Sequence, residues 1–261
     1  MNASRVIACT PRFLPRNLWG RSIETACRVN PDNRPEGAAE DAAPSERLAL
    51  DVTRYWGKNG VKLTVGFIET PDNSLRGRIL THMNAWGLTA NVTFIFANTD
   101  PQVRIARFGA KEAPGQDGYW SNIGTDILLI DKDQPTMNLE AFTMDTSEAE
   151  FHRVVRHETG HTLGFPHEHM RKQIVARLDT KKVIASFMAS QGWSEQEVKN
   201  QVLTPIEDSS ILGTPVADES SIMCYQIDGS LTKDGKPIVG GLDINDTDRA
   251  FAALVYPKPK A

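Results

Sequence analysis

HETGHTLGFPHEH, residues 157–169, holds four of the chain's six histidines, and its spacing decides the reading of the whole chain. His157 and His161 are one helical turn apart, so on a helix both rings leave the same face. Two neutral imidazoles placed so can share one zinc ion. Glu158, one residue on, points about 100° around the helix. Its carboxylate then falls beside the metal, where it can take a proton from an activated water. Gly164 ends the helix, because glycine accepts a positive φ, and it lets the chain turn back. His167 follows three residues later as a third ligand. Three protein ligands leave a fourth position open, which is the geometry of a catalytic site. The helix has its own start signal in Ser147 and Glu150, an S-x-x-E capping box. Phe151, Val154 and Val155 supply the inward stripe. His152 and His169 lie outside the pattern and read as solvent-facing or locally hydrogen-bonded; His82, mid-helix beside Met83, carries no role.

Working outward, VKLTVGFIE (61–69) alternates Val61, Leu63, Val65 and Phe67, which predicts a strand. Leu75, Ile79, Met83 and Trp86 predict a helix over 74–86. NVTFIFAN (91–98), QVRIARF (102–108) and GYWSNIG (118–124) read as further strands, and DILLID (126–131) as a buried one. Residues 179–203 are helix-prone. NDTDRAFAALVY (245–256) predicts a terminal helix capped by Asn245 or Asp246. Residues 1–46 differ from the rest, and the run NPDNRPEGAAEDAAPSE (30–46) reads as an exposed linker.

Bulk properties narrow the class. The chain has 261 residues, 40% hydrophobic and 24% charged, as in a folded globular protein. A net charge of −4 offers no basic field for nucleic acid, which leaves protein or small-molecule partners. No apolar run is long enough for a membrane span. The first residues, MNASRVIACTPRFLP, lack the apolar stretch of a signal peptide. The three cysteines, Cys9, Cys27 and Cys224, show no CxxC spacing. Cys9 and Cys27 can pair, which leaves Cys224 odd; this is no disulfide scaffold.

The string H-E-x-x-H-x-x-G-x-x-H is the metzincin signature. GFPHE (164–168) and the later SIMCY (221–225) narrow the resemblance to the astacin family, whose motifs read HExxHxxGFxHE and SxMxY. RYWGKNGVKLTVGFI (54–68), GYWSNIGT (118–125) and DINDTDRAFAALVY (243–256) resemble that family's opening strand, cleft-edge strand and closing helix. The resemblance covers about residues 47–257. It implies an α+β zincin fold: a twisted mixed sheet with the active-site helix above the cleft, and a smaller C-terminal subdomain with the Met-turn and terminal helix. The implied division is an N-terminal extension (1–46), an upper subdomain (47–164) and a lower one (165–261). It further implies one catalytic zinc ion on His157, His161 and His167, Glu158 as general base, Met223 as the Met-turn and Tyr225 as a mobile fifth ligand. Tyr119, Trp120 and Ser121 would form the cleft-edge strand along which substrate lies. The family's usual disulfide cysteines are missing, with Tyr119 where one would stand, and Cys224 replaces the usual histidine of the turn.

The expected function is zinc-dependent hydrolysis of internal peptide bonds in protein or peptide substrates by a monomer with no nucleic-acid partner. The alternative is a zinc-binding module that is latent or non-proteolytic. Secretion follows from the resemblance alone. Residues 1–46 sit where the family carries an inhibitory pro-segment. Its aspartate motif is absent, and Cys27 is the candidate latency ligand, with Asp32 second; a buried or disulfide-bonded Cys27 without metal contact is the competing expectation.

Overall fold

The computed structural model describes Cys9, Arg12 and residues 14–34, 52–113, 115–205 and 216–259. Five strands, β1 (Val61–Phe67), β2 (Val92–Phe96), β3 (Val103–Ala106), β4 (Tyr119–Ser121) and β5 (Met137–Leu139), form one sheet in the order β2-β1-β3-β5-β4. All neighbours are parallel except β4, which runs antiparallel to β5 at the sheet's edge. In β1 the alternation seen in the sequence buries Val61, Leu63 and Val65. β3 is buried along its full length, including Arg104. Its guanidinium donates to the carbonyls of Gln134 (2.7 Å), Ile130 (3.1 Å) and Asp131 (3.2 Å), so a buried charge fixes the loop that leads to β5.

That loop overturns one expectation. DILLID is no strand: Gly124–Leu129 form a 3-10 helix that starts at Gly124, whose φ is +47°. A Cβ at Gly124 would lie inside the Arg54 carbonyl, so only glycine fits this approach. Asp126 turns inward to accept from Ser22 Oγ at 2.6 Å and to meet Arg54 at 3.3 Å, a polar anchor that a strand would point the wrong way. The strand beside β3 is β5, three residues too short to carry a periodic signal.

Ser22 belongs to helix α1 (Trp19–Val29), which packs against that 3-10 helix. The linker reading of residues 30–46 therefore needs correcting at its start. Asn33 is buried, and its amide is saturated: Nδ2 donates to the carbonyls of Ala26 and Tyr55 (both 2.9 Å), while Oδ1 accepts from Tyr55 N (3.0 Å) and Thr53 Oγ1 (2.8 Å). The remainder of that reading, residues 35–46, lies outside the described residues.

Helix α2 (Asn73–Met83) is capped by Asp72, which accepts from Leu75 N at 2.8 Å, and it buries Leu75, Ile79 and Met83. Helices α4 (Thr180–Gln191) and α5 (Asp246–Val255) follow the active-site helix α3 (Arg156–Thr162). The cap of α5 is Asn245, in a reciprocal box with Asp248. One core joins the sheet, α2, Val154, Val155, Leu163, Phe165, Met223 and the last helix through Trp86, Phe151, Ala252 and Tyr256. A second joins Ile174, Val183, Phe187, Val198 and Val202 to Cys9, Cys224 and Tyr225. The site lies where the two meet. Among the described residues, no helix is long and apolar enough to cross a membrane.

Candidate active site

The helix that carries the histidines comes in three pieces: an α turn at Glu148–Glu150, a π-helical stretch at Phe151–Val155, and α3. Ser147 caps it by accepting from Glu150 N at 3.3 Å. The other half of the expected capping box is replaced: the Glu150 carboxylate takes both Nε (2.9 Å) and Nη2 (2.7 Å) of Arg153. Single π turns inside α-helices often mark functional sites, and this one ends immediately before α3. At the far end, Gly164 N donates to the His161 carbonyl (2.8 Å) and Phe165 N to that of Gly160 (2.9 Å), a Schellman turn with Gly164 at φ +95°. The turn brings the Phe165 carbonyl onto His161 Nδ1 at 2.8 Å. His157 Nδ1 likewise meets the Ile222 carbonyl at 2.6 Å.

A carbonyl only accepts, so both Nδ1 atoms carry the proton and both Nε2 atoms present bare lone pairs. These converge with His167 Nε2, which lies 3.2 Å from His157 Nε2 and 3.1 Å from His161 Nε2. Lone pairs cannot satisfy one another; only a cation between them can. The separations approach the edges of a tetrahedron with bonds of about 2.0 Å, so the donor set fits zinc. Burial holds all three imidazoles neutral, His157 down to about 4 and the other two well below the ordinary histidine value, which keeps the lone pairs free.

Glu158 is buried beside this set, and burial pushes its carboxyl up to about 8, against the Cys9 hydrogen bond and Arg153, which lower it. Met223 lies under the helix. A Cβ added at Gly160 would approach its Sδ to 2.5 Å, so the contact requires glycine. Ser221 Oγ accepts from Met223 N at 3.0 Å and donates to Asp248 Oδ1 at 2.6 Å. Glu168 N donates to the Met223 carbonyl at 2.9 Å, tying the His167 segment to the turn. Tyr225 is buried, its ring 4.6 Å from that of His167. Its hydroxyl donates to the Cys9 carbonyl.

Cys9 is the residue that sequence reasoning missed. Its Sγ joins His157, His161 and His167 in one group whose ligand atoms all lie within 4.8 Å of one another, and it donates to Glu158 Oε2 at 3.3 Å. Nothing in the sequence marks it, because 148 residues separate it from His157 and its neighbourhood has no motif. Cys27, the candidate latency ligand, is elsewhere, in line with the competing expectation: it packs half-buried against Ile23, Ala26 and Val52. It faces inward from α1, which fixes it away from the histidines. Asp32 pairs with Lys58 at 2.9 Å on the surface. All three cysteines are free.

Tyr119–Ser121 form the edge strand β4, and the side chains of Trp120 and Ser121 serve the fold. Trp120 and Ser121 are buried, with Ser121 Oγ 3.1 Å from Thr162 Oγ1. Only the backbone edge is open for pairing, and the N-terminal segment takes it through parallel bridges Cys9–Tyr119 and Arg12–Asn122, with Arg12 N donating to the Ser121 carbonyl at 3.1 Å. Tyr119, Cys9, Arg153, His157, Glu158 and Tyr225 border a cleft of about 250 Å³.

His82, Glu148 and His152 form a second group, with Glu148 Oε1 3.2 Å from His82 Nε2 and 3.3 Å from His152 Nε2. Arg156 already fills it, reaching His82 Nδ1 (3.4 Å), His152 Nε2 (3.1 Å) and Asp243 Oδ1 (2.5 Å). It is a polar strut that ties α2 to the active-site helix.

A helix that presents two imidazoles, a turn that returns a third and a neighbouring buried carboxylate together define a zincin-type centre. Comparisons with known proteins narrow the class. No family model and no curated protein sequence matches the chain. Among solved structures, one of myroilysin is 31% identical with a TM-score of 0.72, covering 79% of this chain and 97% of that one. A second structure of myroilysin is 30% identical with a TM-score of 0.58, covering 88% and 97%. The hatching enzyme HCE-1, a zinc-protease of the medaka fish Oryzias latipes, shares the fold at 19% identity, with a TM-score of 0.52 and 79% and 96% coverage. The chain belongs to the astacin family of zinc metalloproteases.

Proposed function

We propose that the chain is a zinc-dependent endopeptidase and that the conformation described here is its latent form. The observation that carries the first part is the convergence of three Nε2 lone pairs beside the buried Glu158 carboxylate. A zinc ion there supplies Lewis-acid polarisation of the scissile carbonyl and a water acidic enough to attack near neutral pH. Glu158 accepts the proton of the attacking water and delivers it to the leaving amine. Its raised pKa suits both transfers. The Tyr225 hydroxyl donates to the developing oxyanion. The backbone edge of β4 aligns an extended substrate, and the buried side chains of Trp120 and Ser121 hold that edge rigid.

Latency is supported by what occupies the cleft. Cys9 Sγ stands in the ligand group, its carbonyl engages Tyr225, and its segment uses the β4 edge. A substrate would need all three places. Burial and the Glu158 charge hold the thiol proton on Cys9; with a cation held by the imidazoles, Cys9 would bind as the thiolate, and Glu158 Oε2 is placed to receive its proton. Removal of the N-terminal segment then frees the site.

Two measurements test this. Glu158→Gln should keep about one zinc per chain and lose nearly all cleavage of unfolded casein; wild-type activity in that variant refutes the assignment. Cobalt(II)-loaded full chain should show sulfur-to-metal charge-transfer absorption that Cys9→Ser removes and Cys27→Ser retains. Casein cleavage by the full chain should rise only in Cys9→Ser. The opposite pattern restores Cys27 as the latency residue.

A further inference from the structure

Beside the metal ligands sits a buried histidine to which the reaction assigns nothing. The ring of His169 lies against that of Tyr225, centroids 3.8 Å apart and planes at 20°. It also lies 4.7 Å from the ring of His167. His169 Nε2 meets the Gln201 carbonyl at 3.0 Å, so that nitrogen carries the proton. Gln201 belongs to the π-helical stretch Lys199–Leu203, near whose end carbonyls lack partners within the helix. One edge of the His169 ring is thus pinned to a helix end of the second core, and one face is laid on Tyr225.

We propose that His169 is a positioning residue that sets the plane of the Tyr225 ring and so aims its hydroxyl at the reacting carbonyl. The proposal rests on the peptidase reading and on the part Tyr225 takes in it. In the latent form the Tyr225 hydroxyl is held by the Cys9 carbonyl. Once that segment leaves, the hydroxyl loses this partner, and the stack with His169 is what continues to define the ring plane. Two stacked rings resist tilting yet slide in their common plane. That combination suits a phenol that must move towards an oxyanion without losing its aim. Groups that stabilise a transition state need placement to within about 0.5 Å, and a tyrosine reaches its hydroxyl through a long lever with two free torsions. The Gln201 bond explains why the platform is an imidazole: it keeps a flat face and gains an edge donor that fixes the ring's rotation.

The test is a double-mutant cycle in the full chain carrying Cys9→Ser, which removes the thiol that anchors the N-terminal segment beside the histidines and so lets substrate displace it. His169→Leu keeps the bulk and removes the flat face. It should lower kcat roughly three- to tenfold, the range that an aromatic pair contributes, with KM within about twofold. His169→Phe restores the face and should recover most of the loss. Zinc content, measured in every variant, should stay near one per chain. In a Tyr225→Phe background, His169→Leu should cost less than about twofold more, because the hydroxyl it aims is gone. An equal cost in both backgrounds, or a Leu variant as active as the Phe variant, overturns the proposal. A silent Tyr225→Phe overturns it too, while leaving the roles of zinc and Glu158 standing. A zinc-loaded chain without any peptidase activity refutes the peptidase reading and this proposal with it.

Discussion

Replacing Asp248 by alanine tests how far the metal centre depends on the end of the chain. Asp248 is buried and accepts three hydrogen bonds: Ser221 Oγ at 2.6 Å, Ile222 N at 2.9 Å and Asn245 N at 3.0 Å. The first two hold the turn that carries Met223, and the third caps α5. Hydrogen bonds to a charged acceptor contribute about 1.5–3 kcal/mol each, are not additive, and leave stranded donors when the acceptor goes. Some of these donors will find water, so the loss should be about 3–4 kcal/mol. In a chain of this size that lowers Tm by roughly 6–15 °C. The effect reaches the site through one residue. The Ile222 carbonyl accepts from His157 Nδ1 at 2.6 Å, while Ile222 N is the group Asp248 holds. Freeing that residue loosens the carbonyl that orients His157, and the loss of such a partner weakens metal binding by about 10–100-fold. Thermal unfolding of zinc-loaded protein, with zinc affinity measured by competition against a chelating dye, reads both quantities. Asp248→Asn, which keeps the shape and an acceptor oxygen, should fall between. A drop in Tm below about 3 °C with zinc affinity within twofold of wild type would refute the coupling.

His167→Ala leaves two imidazoles and should lose zinc on dialysis under conditions where wild type retains it; full retention means the third ligand lies elsewhere. Gly160→Ala pushes a methyl to 2.5 Å from Met223 Sδ and 3.2 Å from Trp86 Cζ2, and should cost about 1–3 kcal/mol in denaturant unfolding. An unchanged midpoint would mean that Met223 is free to withdraw. Burial lowers the His82 pKa to about 4, below its ordinary value of 6.5. The unfolded chain therefore binds the extra proton first, and stability falls as pH drops from about 6.5 to 4, by up to about 3 kcal/mol from this residue. Urea titrations across that window should show a shallower pH dependence in His82→Phe, and an identical slope would contradict the buried, neutral state.

The site's chemistry was legible in the sequence wherever its geometry is local. An i,i+4 pair, a neighbouring carboxylate and a glycine that stops the helix fix three donors within eleven residues, because one helical turn and one Schellman turn permit little else. The strands β1 and β2 and the helices α2 and α5 were legible for the same reason: each repeats its burial pattern over several turns or pleats. β5 was not, since three residues carry no period, and neither was the 3-10 helix at Gly124–Leu129, whose apolar run mimics a strand until Asp126 turns in to Ser22 and Arg54.

The sequence by itself determined which three imidazoles and which carboxylate come together, the helix they ride on and the family resemblance. Only the tertiary structure decided which cysteine joins the three histidines, which groups hold their rings and what stacks on Tyr225. Cys9 with Glu158, Asp248 with Ile222 and His169 with Gln201 are partners 149, 26 and 32 residues apart. Local periodicity encodes which face of an element is buried. It does not encode what that face meets, because such meetings are set by how the two cores close against each other.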